Sequence, residues 1–172
     1  MAKAGPFKIV EYDPAWPIMF AAYAAPLNTA LGNLALSVEH IGSTSVVGLA
    51  AKPIIDIDIV ISSRLVLKDV ISTLAGLGYA HEGDLGIPGR ESFAAPAGEP
   101  LHLYVCSVDT PNLHNHLLFR DYLRQHPETA EAYGHLKNEL ARTHRNDRDA
   151  YTEAKTVFIR GVLARARALA KT

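Results

Sequence analysis

The sequence predicts an α/β (α+β) fold: a small mixed sheet with flanking helices over residues 1–110 and a helical part over 111–172, together one domain. Three observations predict it. Strand-like and helical patterns interleave in the first two thirds of the chain, and from Asn112 onward the pattern is helical alone. The stretch Ile54-Ile55-Asp56-Ile57-Asp58-Ile59-Val60-Ile61 alternates as a central strand does, with both carboxylates on one face and the isoleucines on the other. At 172 residues and 48% apolar composition, the chain can bury a sizeable core.

Composition narrows the function classes. No apolar run reaches membrane-spanning length and no signal peptide opens the chain, so a cytoplasmic protein is expected, without membrane. A single cysteine, Cys106, excludes an internal disulfide and suits a reducing compartment; its apolar surroundings mark it as a buried thiol. The net charge of −1 hides an asymmetry: residues 1–133 carry eight Lys/Arg against fourteen Asp/Glu, and 134–172 carry nine against four. A basic tail beside an acidic body can help hold a phosphorylated ligand, or it is a solvated helix face. It gives no reason to expect long nucleic acid.

The elements follow in order. Residues 1–6 read as a flexible start, and Phe7 to Glu11 as an edge strand. Asp13-Pro14 starts a helix over about 14–31, with Trp16, Phe20, Tyr23 and Leu27 as its core stripe and Gly32-Asn33 as its end. Leu34 to Ile41 is the first strand. A turn of small and hydroxyl residues follows, Gly42-Ser43-Thr44-Ser45, and Pro53 marks entry into the aspartate strand. Ser63 caps a helix over 64–77. Tyr79–Glu82, Glu91–Ala94 and Leu101–Val105 read as strands, the last with His102 and Tyr104 on one face, and the glycine-rich segment 83–90 as a loop. Helices are predicted over about 112–125, 128–144 and 150–170.

The chemistry starts from the acidic strand. Two aspartates among isoleucines are costly unless compensated, and a divalent cation is the usual compensation. Ser43 precedes Asp56 by a gap of twelve residues. This Gly-Ser turn followed by Asp-x-Asp in an apolar strand resembles the nucleotidyltransferase superfamily of polymerase-β type. The turn's backbone N–H groups and the Ser43 hydroxyl suit a nucleotide's phosphates, with Thr44 and Ser45 beside them. The carboxylates Asp56 and Asp58 suit Mg²⁺ (or Mn²⁺), a hard cation that prefers oxygen.

The resemblance then sharpens. His40-Ile41-Gly42-Ser43-Thr44-Ser45, Gly48-Leu49-Ala50-Ala51-Lys52-Pro53-Ile54-Ile55-Asp56-Ile57, Leu101-His102-Leu103-Tyr104-Val105 and Phe119-Arg120-Asp121-Tyr122-Leu123-Arg124 are similar to the GrpB family, also called UPF0157. Members of that family occur alone and as a domain behind dephospho-CoA kinase. The resemblance implies the nucleotidyltransferase fold and leaves the reaction open. The chain departs from the pattern at one point: active transferases of the polymerase-β type use a third carboxylate on a neighbouring strand, and at that place this chain has His102 and Tyr104.

His102 is therefore a candidate metal ligand or general base, with a structural histidine as the alternative, and Tyr104 a candidate ligand contact. Lys52 and Arg90 are candidate phosphate contacts, or partners of Asp56 and Glu91. His116, Arg120 and Arg124 fall at helical i, i+4, i+8 and form one polar ridge. Arg120 is the candidate anion clamp; the alternative is a salt bridge to an acid of the sheet. His114 and His116, two apart on a helix, point apart and do not share a metal. His40 is expected to orient the turn. The expected function is metal-dependent nucleotidyl or phosphoryl transfer to a small molecule. The alternatives are a metal-dependent hydrolase using Asp56, Asp58 and His102, and a non-catalytic module binding a nucleotide or CoA-like ligand.

Overall fold

The computed structural model describes residues 8–145 and 147–171. The predicted flexible start, and Phe7 of the predicted edge strand, lie outside the described residues. What remains of that edge is a single antiparallel bridge between Val10 and Ala51.

Five strands form one mixed sheet: β1 (Ser37–Ile41), β2 (Ile55–Ile61), β3 (Ala80–Gly83), β4 (Arg90–Ala94) and β5 (Leu101–Ser107). Their order is β1-β2-β5-β4-β3, and only the central pair β2 and β5 is parallel. Among the described residues, five α-helices complete the fold: α1 (Ala15–Leu31), α2 (Leu67–Gly76), α3 (Pro111–Gln125), α4 (Pro127–Thr143) and α5 (Arg148–Leu169). The first strand starts at Ser37 rather than Leu34, because Gly32–Leu34 forms a 3-10 turn off the end of α1.

The strand alternation decides the layers. Ile55, Ile57, Ile59 and Ile61 are all at most 1% exposed, and with Leu103 and Val105 they face Trp16, Leu27 and Leu31 of α1 and Val70 and Leu74 of α2. Burying each such side chain contributes about 2 kcal/mol before entropy is counted. The opposite face carries Asp56, Asp58, His102 and Tyr104, since the register sets Asp56 beside His102 and Asp58 beside Tyr104. That face is polar at these four positions and apolar further along, where Leu113 of α3 packs on Val60 and Cys106.

Local chemistry supports the boundaries. The Asp13 carboxylate accepts the Ala15 N–H at 2.8 Å, and Ser63 Oγ accepts the Leu65 N–H at 3.3 Å. Pro111 and Pro127 occupy the first turns of α3 and α4, where a missing N–H costs nothing. A second apolar cluster joins the C-terminal helices to the turn after β1: Val46, Leu49, Leu123, Ala130 and Tyr133 are buried, with Phe119, Phe158 and Ile159 against them. Cys106 is fully buried, and burial pushes its thiol up to about 12. No helix among the described residues is long and apolar enough to cross a membrane.

Candidate functional site

The site is built where the turn after β1 meets the polar face of β2. Gly42 has φ +72°, and a Cβ there would run into the Asp56 carboxylate. Only glycine lets the backbone come this close. The turn is fastened from inside: His40 Nε2 lies 2.9 Å from Thr44 Oγ1, and Ser45 Oγ donates to the Gly42 carbonyl at 2.5 Å. The His40 ring stacks on Phe20 at 4.6 Å, and burial lowers its pKa to about 4. His40 therefore orients the turn as a neutral ring. Thr44 and Ser45 are buried and committed to the turn, which leaves Ser43 as the hydroxyl of the four-residue turn that meets cationic side chains.

Ser43 is met from α4. Lys137 Nζ donates to Ser43 Oγ at 2.8 Å and to the Ala50 carbonyl at 2.5 Å, and the buried Tyr133 hydroxyl hydrogen-bonds Ser43. Around this point lies a cavity of about 260 Å³. It is bordered by Ser43, Asp56 and His102 from the sheet side and by Lys52, Lys137, Arg148 and Lys155. Among the described residues that line it, Asp56 is the only carboxylate, against those four cations. Aromatic faces hold the lysines: Lys52 and Lys155 lie 5.2 and 4.6 Å from the Tyr151 ring centroid, and Lys137 lies 4.7 Å from that of Tyr133.

The crowding shows in the protonation equilibria. Burial, then the charge of Lys155, brings Lys137 down to about 7. The same causes bring Lys52 down to about 8, and burial lowers Lys155 as well. Several ammonium groups in one half-closed cavity with a single carboxylate are a set that an anion would stabilise.

The two aspartates have different surroundings. Asp56 is partly exposed, and its Oδ1 lies 2.8 Å from Nδ1 of the half-exposed His102. Asp58 is fully buried; its Oδ2 lies 2.7 Å from Nδ1 of His116 on α3. Asp58 Oδ1 is buried without a hydrogen-bond donor. No group of three or more His, Cys, Asp or Glu side chains among the described residues is arranged to hold a metal ion. An orphaned carboxylate oxygen and a second carboxylate on the same strand face nevertheless fit Mg²⁺. That ion is commonly held by one or two carboxylates, with substrate phosphates and water completing its shell.

The ridge on α3 turns toward the sheet. Arg120 reaches Glu39 on β1 and Asp121, each at 2.8 Å, and the His40 carbonyl at 3.2 Å. Arg124 donates to the Ser45 carbonyl at 3.0 Å. Arg120, the candidate anion clamp, thus makes the salt bridge to an acid of the sheet, because Glu39 stands in register beside Asp58. Arg90 stacks on Tyr104 at 4.3 Å, while Glu91 points to the other face and pairs with Arg64 and His81. His114 bonds the Val108 carbonyl and diverges from His116 as its spacing requires.

Sequence reasoning does not single out Lys137, Lys155, Tyr133 or Tyr151. A signal for them exists in the helical spacing. Ala130, Tyr133, Lys137 and Leu140 form one buried stripe of α4, so Lys137 stands on the apolar side of its helix. Lys155 stands likewise between Tyr151 and Val162 on α5.

Similarities to known proteins give the family and the fold. The GrpB protein family model matches residues 6–165. The chain belongs to the GrpB family. A UPF0157 protein of Pseudomonas aeruginosa is 38% identical over 162 residues, covering 92% of this chain and 67% of that protein. A dephospho-CoA kinase of Mycolicibacterium paratuberculosis is 28% identical, and there the chain spans only 46% of the longer protein. Among solved structures, the GrpB protein of Enterococcus faecalis superposes with a TM-score of 0.85 at 35% identity, covering 96% of this chain and all of that one. The Cid1 poly(U) polymerase, in a MgATP-bound crystal structure, gives a TM-score of 0.54 at 14% identity, covering 78% of this chain and 44% of that one. The GrpB chain thus has a nucleotidyltransferase-like fold.

Proposed function

We propose that this GrpB protein transfers a nucleotidyl or phosphoryl group from a nucleotide to a small molecule. The observation that carries the reading is the cavity in which Ser43 and Asp56 sit among Lys52, Lys137, Arg148 and Lys155. Its volume, about 260 Å³, suits a polyphosphate rather than a whole nucleotide, so the nucleoside would extend out of it. Ser43, positioned by Lys137 and Tyr133, would hold phosphate oxygens, and the cations would neutralise the charge of the leaving group. In the transfer, an acceptor oxygen forms a bond to phosphorus as the bond to the leaving phosphate breaks in line. Mg²⁺ (or Mn²⁺), held by Asp56 and Asp58, would when bound neutralise charge on the transferring group. The single buried Cys106 fits a cytoplasmic setting.

A second reading rests on the histidines. With Asp56 met by His102 and Asp58 sealed under His116, the protein would bind its ligand without turning it over. A thermal-shift screen of nucleotides and CoA precursors, with and without Mg²⁺, tests both, since a ligand of the folded state raises the midpoint. The transferase reading expects a nucleotide to stabilise the protein more with Mg²⁺, and Asp56→Asn to abolish that increment. Turnover of the stabilising nucleotide in the presence of an acceptor separates it from the binding module. Metal-independent binding unchanged in Asp56→Asn contradicts it.

A further inference from the structure

A second cavity, also about 260 Å³, adjoins the basic one at Ser43, Asp56 and Tyr133. Its character is different. Phe119 and Ile159 give it an apolar wall, and Arg90 is the one Lys or Arg among the described residues that line it. The Arg90 guanidinium stacks on Tyr104 at 4.3 Å, and its Nε is buried without a hydrogen-bond partner. Arg64 and Arg120, by contrast, each lie 2.8 Å from a carboxylate oxygen. A stacked guanidinium with an unmatched buried donor is a preorganised fork for a carboxylate or a phosphate. Its volume of about 260 Å³ and its mixed lining suit a small organic acid.

We propose that this cavity is the acceptor's subsite, and that the acceptor is a small organic oxyanion whose charged end is held by Arg90 and whose apolar body lies against Phe119 and Ile159. The assignment of an acceptor rests on reading the basic cavity as the donor's. The division of cations supports it: the lysines and Arg148 border one cavity and Arg90 the other, with Asp56 common to both.

The test is a ¹H–¹⁵N NMR titration of the full chain with benzoate, phenyl phosphate and neutral benzyl alcohol. Saturable shifts in the amides of β4 and the middle of α3 are expected from at least one of the two anions, with benzyl alcohol at least about tenfold weaker. Benzoate alone identifies a carboxylate site, phenyl phosphate alone a phosphate site, and both a general oxyanion site. Arg90→Gln is expected to remove the preference for the anion, and Ile159→Phe to weaken all three probes by filling the cavity. The proposal is overturned if neither anion exceeds benzyl alcohol, or if anion binding survives Arg90→Gln or is lost in Lys137→Gln instead. Inorganic tripolyphosphate with Mg²⁺, titrated in parallel, reports on the donor reading separately. Its failure beside an Arg90-dependent anion site would sink the donor reading and leave the anion site standing.

Discussion

Asp58 on β2 and His116 on α3 form a pair 2.7 Å apart, and Asp58 has no exposed surface. The contact pins α3 across the polar face of the sheet. Removing the imidazole leaves a buried carboxylate without its partner. His116→Ala is expected to destabilise the fold by about 1–3 kcal/mol, the usual cost of leaving a buried polar group without its hydrogen-bond partner. Asp58→Asn, which removes the charge, is expected to cost less, and the double variant less than the sum. Urea denaturation of the three variants checks this.

Gly42 predicts a second stability effect. Its φ of +72° and ψ of −176° fall in a region that side-chain-bearing residues avoid, and a Cβ would meet Asp56. Gly42→Ala is expected to cost about 1–3 kcal/mol from backbone strain, with the clash in addition. Gly76→Ala, where a Cβ meets nothing within 4 Å, is the control in the same denaturation series.

Lys137 predicts a pH dependence of the ligand-free protein. Its pKa falls from 10.5 to about 7 on folding, so between these values the unfolded chain binds more protons than the folded one. Stability therefore rises with pH from about 7 to 10.5, by up to about 1.4 kcal/mol per pH unit for this group. Lys52, lowered to about 8, adds in the same direction over the upper part of the window. In Lys137→Met the rise is expected to be smaller. Denaturation midpoints at about pH 6.5 and about pH 9.5 for both proteins measure the difference.

Arg120 separates support from binding. Arg120→Met unpairs Glu39 and the His40 carbonyl, and is expected to destabilise by about 1–3 kcal/mol. Tripolyphosphate affinity is expected to stay within about twofold, because the residue lies outside both cavities. Titration calorimetry beside urea denaturation separates the two effects.

Most of the fold was legible because its signals are local. The alternation of isoleucine and aspartate placed β2 and its two faces, and the prolines and small residues marked the helix ends. The site was legible only in part. Its pairs join distant positions: His116 meets Asp58 across 58 residues and Arg120 meets Glu39 across 81. An arginine that pairs with an acid and one that clamps phosphate have the same side chain, and only the register of Glu39 on β1 decides between them. Lys137 was hidden by its position, since a lysine inside an apolar stripe reads as an interruption of the core until a cavity is seen beside it.

The central claim is that the basic cavity is a polyphosphate site. Isothermal titration of inorganic tripolyphosphate in the presence of Mg²⁺, into the wild-type protein and Lys137→Gln, tests it most directly. Saturable binding to the wild type is predicted, with a loss of at least about tenfold, or about 1.4 kcal/mol, in the variant. No binding to the wild type, or equal binding to both proteins, would contradict it.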